Sequence, residues 1–405
     1  RGGAARGKGS AGEADRKKSG VRSQESVERL LYSGFRLLIT MIIPFFIPHA
    51  GCPHQCVFCN QKKITGEQKP PDSASIPTKI ETFLNTSAQS SETKAVIPGL
   101  TRNPAPFKNP LDSRFRGNDE HCKKNVHVAF YGGSFTALPI KHQQSYLDAV
   151  QPFILSGRVN GIRLSTRPDC VNREVLSLLR EYDVKTIELG AQSMDDRVLT
   201  LAGRGHTVAD TVNAVGLVKG SGFAVGLQLM PGLPGDSAEG FNETISMVME
   251  LAPDFVRLYP VLVIKGTPLE TLYREGRYTP LSLDDAVSLC STALIKFEKA
   301  GIDVIRIGLQ PTEELERPGT ILAGPYHPAF RQLVESNLFL EKMREVLRMR
   351  KDESDAAVIL VNPRDISAAI GQKRSNVNHL KKQLRLRTVH IVPDAGIPKR
   401  TVKLL

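Results

Sequence analysis

From residue 126 onward the chain alternates short apolar runs with longer stretches of helical period. Extended runs at 126–131, 161–165, 186–189, 225–230, 255–259 and 304–307 are separated by helical segments such as 143–155, 173–181, 207–220, 240–251 and 283–300. Strands that recur only after a helix lie parallel and are joined by right-handed crossovers. A further apolar run at 42–48 adds a strand upstream, followed by helix-compatible residues at 73–87. The count predicts an α/β fold, an incomplete barrel of (β/α)6 type. In such barrels the residues that do chemistry sit at the C-terminal ends of strands.

The first of those ends carries the sharpest chemical signal. Directly after the run at 42–48, Cys52, Cys56 and Cys59 stand in a C-x3-C-x2-C spacing. Thiolates are soft ligands that suit iron–sulfur clusters and zinc. A cubane cluster normally takes four protein thiolates; this loop offers three, and no other cysteine follows within sixty residues. Three thiolates leave one iron open, and an open metal position marks a site of chemistry. The competing reading is a structural zinc knot, although zinc sites usually show four ligands in paired C-x2-C spacing. Of the six cysteines, Cys122, Cys170 and Cys290 are scattered, a pattern of metal binding in a reducing compartment rather than of a disulfide scaffold.

C-x3-C-x2-C with Phe58 just before the last cysteine resembles the signature of the radical S-adenosylmethionine (radical SAM) enzymes. The resemblance implies a [4Fe–4S] cluster on Cys52, Cys56 and Cys59, SAM on the open iron, and Phe58 packed near the adenine. It also implies an electron donor such as flavodoxin or ferredoxin, and release of a 5′-deoxyadenosyl radical. Later strand ends fit the same pattern. Gly132 and Gly133 match the loop that contacts the SAM amino group, and paired glycines allow close backbone approach to a ligand. Ser165 stands where relatives carry a polar or acidic SAM contact. Gln192 and Arg204 match a ribose- and carboxylate-binding pair of the branch that includes the oxygen-independent coproporphyrinogen oxidases; chemically they offer an amide and a guanidinium fork. Gln228, before Gly232-Leu233-Pro234-Gly235, matches a ribose-contacting position. Lys265 and Arg306 are expected at the substrate mouth or in structural roles, and His206 as a capping or structural residue.

The block Ala323-Gly324-Pro325-Tyr326-His327-Pro328, together with the barrel motifs, resembles the Elongator catalytic-subunit type over about residues 41–350. That type modifies wobble uridine in tRNA with the help of an acetyltransferase domain; the residues after 350 do not fit such a domain, so acetyl transfer is not carried over. Tyr326 and His327 are candidates for the substrate side.

Net charge is +12 and unevenly spread. Residues 1–40 carry 9 basic and 4 acidic side chains, residues 356–405 carry 10 and 2, and the body between is nearly neutral. Residues 1–40 read as a disordered or misassigned N-terminal extension. The apolar stretch at 37–47 is far shorter than the roughly 20 residues a spanning helix needs, which points to a cytoplasmic protein with no membrane association. Residues 94–122 lack either period and read as an irregular insertion. At 356–405 the order strand, helix, loop, helix, strand with Ile370-Gly371-x-x-x-Ser375-Asn376-Val377 resembles a KH module, whose GXXG loop clamps a nucleotide backbone. Here Arg374 replaces the second glycine, and Gly371, Lys373 and Arg374 become candidate RNA contacts. A basic C-terminus suits a polyanion. The reading is a radical SAM enzyme acting on RNA, most simply tRNA. The alternatives are a radical SAM oxidoreductase of the coproporphyrinogen type acting on a small molecule, and a zinc-containing RNA-binding protein.

Overall fold

The computed structural model describes residues 40–89, 125–350 and 354–405. Nearly all of these belong to one compact unit, 42–101 with 127–405; the other unit, 1–41 with 102–126, falls almost wholly outside them. The expected N-terminal extension, but for Thr40, and the expected insertion with Cys122 lie outside the described residues.

Seven parallel strands form a single curled sheet, and its order follows the chain: β1 (Thr40–Phe46), β2 (Asn125–Tyr131), β3 (Gly161–Thr166), β4 (Val184–Gln192), β5 (Ala224–Leu229), β6 (Phe255–Leu258) and, after a detour, β8 (Asp303–Ile307). β1 and β8 do not pair, so the barrel stays open, as expected of an incomplete α/β barrel. Side chains alternate across each strand. One set is sealed under the helices: Ile43 and Phe45 of β1, Val128 and Phe130 of β2, Ile162 and Leu164 of β3, and Ile187 of β4 are almost wholly buried. Phe45, Phe130 and Phe135 form a tilted aromatic stack in this layer, with ring centroids 5.8 and 5.2 Å apart. The opposite set, which faces the barrel lumen, holds Tyr131, Arg163, Ser165, Glu188, Gln228 and Arg257, and these residues meet one another.

The helices obey local rules. Thr207 caps the helix Val208–Gly220 through a reciprocal capping box with Asp210, and Ser237 and Ser282 cap Ala238–Leu251 and Leu283–Lys299. The segment expected as one helix over 143–155 is two, Ile140–Asp148 and Gln151–Leu155, with Pro152 near the start of the second. A proline fits the first turn of a helix and not its interior, so it favours this restart. Between β6 and β8 the chain forms β7 (Val263–Ile264), which pairs antiparallel with β9 (Ile321–Ala323) in a two-stranded sheet the periodicity did not announce. Strands of two and three residues are too short to show a period.

The C-terminal residues form β10 (Ala356–Val361), helix Ile366–Ile370, a turn at Gln372–Arg374, helix Ser375–Gln383 and β11 (Thr388–Pro393). β11 runs parallel to β10, and an unforeseen β12 (Val402–Leu404) closes the other edge antiparallel. This layer rests on the long helix Phe330–Arg348: buried Asn376 donates to the Ser336 carbonyl at 2.8 Å, and Gln332 to Ser367 Oγ at 3.2 Å. No helix among the described residues is long and apolar enough to cross a membrane.

Candidate active site

The cysteine loop leaves β1 at the C-terminal rim and is fixed on three sides. Ser134 N donates to Ala50 O at 2.9 Å, Val57 N to Ala202 O at 3.0 Å, and Leu269 N to Val57 O at 2.8 Å. Two glycines make this approach possible. A Cβ on Gly133 would lie 2.4 Å from Ala50 O and 2.6 Å from Ile47 O. One on Gly51, which also adopts φ +72°, would lie 2.2 Å from Ser134 O. The Gly-Gly turn therefore seats the cysteine loop. Gly132, at φ +93°, would admit a Cβ at ordinary contact distance, its nearest neighbour being Gln61 Oε1 at 3.7 Å.

Cys56 is buried; Cys52 and Cys59 are half-buried. Burial, then the neighbouring Cys56, pushes the Cys52 thiol up. Burial and the two other thiols push Cys59 up to about 12. Burial and neighbouring sulfur thus hold the Cys52 and Cys59 thiols against ionising. Among the described residues no three His, Cys, Asp or Glu side chains gather as ligands of a single metal ion would. Phe58 is buried in an apolar cluster with Cys56, Leu233, Val261, Leu269 and Tyr278.

Arg204 reaches the loop from the segment that follows β4 and the helix Asp196–Leu201. It is 6% exposed, and donates through Nη1 to Cys56 Sγ at 3.0 Å and through Nη2 to Gly190 O at 2.6 Å. Arg167, held by Asp169 at 2.9 Å, donates to the Arg204 carbonyl and so fixes its backbone. Gly190 leaves room for two side chains: a Cβ there would lie 3.0 Å from Gln192 Nε2 and 3.3 Å from Arg204 Nη2. Gln192 sits at the register irregularity between β4 and β5, with φ +71°. A glutamine held in the left-handed region is a strained residue of the sort found at ligand sites. Among the described residues its buried Oε1 and the buried Arg204 Nε have no hydrogen-bond partner. An unspent acceptor and an unspent donor beside three thiols suit a ligand that carries both hydroxyl and carboxylate groups.

Deeper in the lumen lies a polar cluster that the motif reading passed over. Glu188, 0% exposed, forms ion pairs with Arg163 Nη2 at 3.2 Å and Arg257 Nε at 2.7 Å, and accepts hydrogen bonds from Arg257 Nη2 at 3.0 Å and the Tyr131 hydroxyl at 3.1 Å. Gln228 donates to Ser165 Oγ at 3.3 Å and to Glu188 at 3.4 Å. Ser165 and Gln228 thus meet each other, two strands apart, above the same carboxylate. Charged residues in the middle of otherwise apolar parallel strands were the available signal.

The remaining candidates are spread out. Lys265 is exposed, and its carbonyl accepts from Lys63 Nζ at 2.9 Å. Arg306 pairs with Gln310. Tyr326 donates to Glu316 at 2.8 Å, and His327 Nδ1 accepts from Ala329 N at 3.1 Å, so both groups are engaged within their own loop region. His206 is buried, and among the described residues neither of its ring nitrogens has a hydrogen-bond partner. Gly371 is buried, whereas Lys373 and Arg374 are exposed and lie apart from the barrel mouth in the C-terminal layer, both with left-handed φ (52° and 63°).

A profile described as the Radical SAM superfamily matches residues 46–248, and the Radical SAM C-terminal domain matches 253–339. The chain belongs to the Radical SAM superfamily. It is an enzyme of that superfamily, whose members bind a [4Fe–4S] cluster and SAM. It is 28% identical over 288 residues to the tRNA uridine(34) acetyltransferase of Methanocaldococcus infernus, covering 64% of this chain and 49% of that one. It is 32% identical over 195 residues to human Elongator complex protein 3, covering 43% and 36%. The chain therefore spans half or less of the length of these curated relatives. The solved structure of archaeal Methanocaldococcus infernus Elp3 with an N-terminal deletion has the same fold, with a TM-score of 0.52 at 21% identity, over 77% of this chain and 64% of that one.

Proposed function

We propose that this radical SAM enzyme holds its cluster on Cys52, Cys56 and Cys59, cleaves SAM reductively, and uses the resulting radical to modify RNA, most simply tRNA. When bound, the cluster and SAM supply the electron and the 5′-deoxyadenosyl radical that takes hydrogen from a substrate. The observation that carries the assignment is Arg204 at the C-terminal rim, donating to Cys56 Sγ of the three-cysteine loop while its Nη2 lies with Gln192, whose Oε1 is orphaned among the described residues, beside Gly190.

The chain's own residues divide the work. Gly51 and Gly133 bring the cysteine loop against the β2 turn, and Gly132 offers backbone beside it. Arg204 Nε is placed for a carboxylate, and Gln192 Oε1 for a ribose hydroxyl. Gln228 spends its amide hydrogens on Ser165 and Glu188, which turns its carbonyl toward a second hydroxyl donor. Phe58 contributes its apolar cluster to the adenine side and excludes water. RNA as the substrate is supported by the relatives named for tRNA modification and by the exposed Lys373 and Arg374 in a β-α-α-β layer of KH-like order. We assign residues 41–350 to the radical SAM barrel and 356–405 to the RNA-binding module of a cytoplasmic enzyme fed by a flavodoxin or ferredoxin.

The test is anaerobic reconstitution followed by iron and sulfide analysis, reduction, and measurement of 5′-deoxyadenosine, beside a Cys56→Ala control. The expected result is about four irons and product that vanishes in the control. Mass analysis of nucleosides from incubated tRNA then reads the substrate. Zinc in place of iron, or cleavage that persists in Cys56→Ala, sinks the proposal.

A further inference from the structure

Arg204 is a buried cation that no carboxylate balances among the described residues. The two other buried arginines each meet one, Arg163 that of Glu188 and Arg167 that of Asp169. The acceptors that Arg204 finds are Cys56 Sγ at 3.0 Å and Gly190 O at 2.6 Å. A charge withdrawn from water is costly unless an opposite charge pairs with it, and a carbonyl is neutral. A neutral thiol is only a weak acceptor. The counter-charge available at this position is therefore the sulfur of Cys56 as thiolate, the form in which cysteine ligates metal.

The guanidinium is also held there. Arg204 N donates to Leu199 O at 2.9 Å, and its carbonyl accepts from Arg167 Nη2. Arg167 in turn grips both carboxylate oxygens of Asp169, at 2.9 and 3.0 Å. The glycines on either side bring the segment down onto the cysteine loop. A Cβ on Gly203 would lie 3.3 Å from Gln55 O, and one on Gly205 would lie 2.5 Å from His54 Nε2. Hydrogen bonds to the sulfurs and net local charge are what set the reduction potential of an iron–sulfur cluster. Reduction adds one negative charge, so a fixed cation on a ligating sulfur favours the reduced form more than the oxidised one.

We infer that Arg204, locked by the Arg167–Asp169 pair, is a positioning residue that acts through the Cys56 sulfur to raise the reduction potential of the cluster. This rests on the assignment of Cys56 as a cluster ligand and adds to it how the protein makes the first electron easier to accept. The role belongs to Nη1 and the sulfur, and it leaves Nε for a carboxylate.

The test uses the full reconstituted chain without SAM, so that SAM affinity does not enter. Midpoint potentials are read by electron paramagnetic resonance during a redox titration. Arg204→Met should move the midpoint to a more negative value, by about a tenfold change in the reduced-to-oxidised ratio, or about 59 mV for one electron. Arg167→Met should move it the same way by less, and Arg204→Lys, which keeps the charge, should recover part of the shift. A second measurement needs no variant: in wild-type protein made with arginine isotope-labelled at its guanidinium nitrogens, pulsed resonance of the reduced cluster should show a coupling to the label. That coupling decides the matter even if Arg204→Met holds no cluster. No coupling in the wild type, an unmoved midpoint in an Arg204→Met protein with about four irons, or an Arg204→Lys shift as large as that of Arg204→Met overturns the inference. Failure of the reading beneath it would look different: a wild type that takes up zinc or no iron sinks both, whereas one that holds its cluster and cleaves SAM with neither coupling nor shift sinks this inference alone.

Discussion

Glu188 offers the most searching test of the fold's electrostatics. Its carboxylate is fully buried and serves two guanidiniums, Arg163 at 3.2 Å and Arg257 at 2.7 Å, which are themselves largely buried. Glu188→Gln keeps the shape but removes the only carboxylate that either arginine contacts among the described residues. It also turns an amide NH2 toward groups that can only donate. Breaking a buried pair by removing one partner costs about 3–5 kcal/mol, because the remaining charge is stranded. Two stranded cations place the expected loss at the upper end of that range. The chain has no Trp, so urea unfolding is followed by circular dichroism, and the midpoint should fall well below that of the wild type. Arg163→Met with Glu188→Leu and Arg257→Met in one chain should recover most of the loss, since apolar residues of like volume often replace buried ions without penalty. A Glu188→Gln midpoint equal to the wild type, or a triple variant no better than the single one, would refute the reasoning.

Other expectations follow from particular contacts. Gly133→Ala drives a Cβ into two carbonyl oxygens and should cost about 1–3 kcal/mol as overpacking, with iron lost on reconstitution; Gly132→Ala has space and pays about 1–2 kcal/mol for its positive φ, with iron retained. Iron content and thermal midpoints of the pair check this. Burial, with Arg204 and Arg167 adding to it, holds His206 down to about 4 from an ordinary 6.5. A depressed histidine binds its proton more readily in the unfolded chain, so stability is whole above pH 6.5 and falls by roughly 3 kcal/mol as pH drops toward 4; urea midpoints across that window should flatten in His206→Phe. Arg374→Gly relieves a left-handed residue and should stabilise the chain by about 1 kcal/mol while weakening tRNA binding and reducing its salt dependence, read by filter binding at several salt concentrations.

The parallel sheet was legible in the sequence because alternation of apolar runs and helical stretches admits few other solutions. All seven expected strands are present, and Thr207, Ser237 and Ser282 begin their helices through local capping chemistry. The cysteine spacing gave the superfamily, since ligand spacing is a local property of one loop. Local signals failed where an element is too short to have a period, as at β7, β9 and β12, and where proline restarted a helix at Pro152.

Only the tertiary structure decided who meets whom. Arg204 and Cys56 are 148 positions apart and touch at 3.0 Å; Tyr131, Arg163 and Arg257 come from three strands and converge on the Glu188 carboxylate of a fourth. Gly133, which the sequence offered as a ligand contact, also makes room for the carbonyls of Ile47 and Ala50. The division has a physical cause. Backbone preference, capping and ligand spacing act over a few residues and are written in order along the chain. Burial of charge, sharing of donors and close backbone approach depend on partners that only the curled sheet brings together.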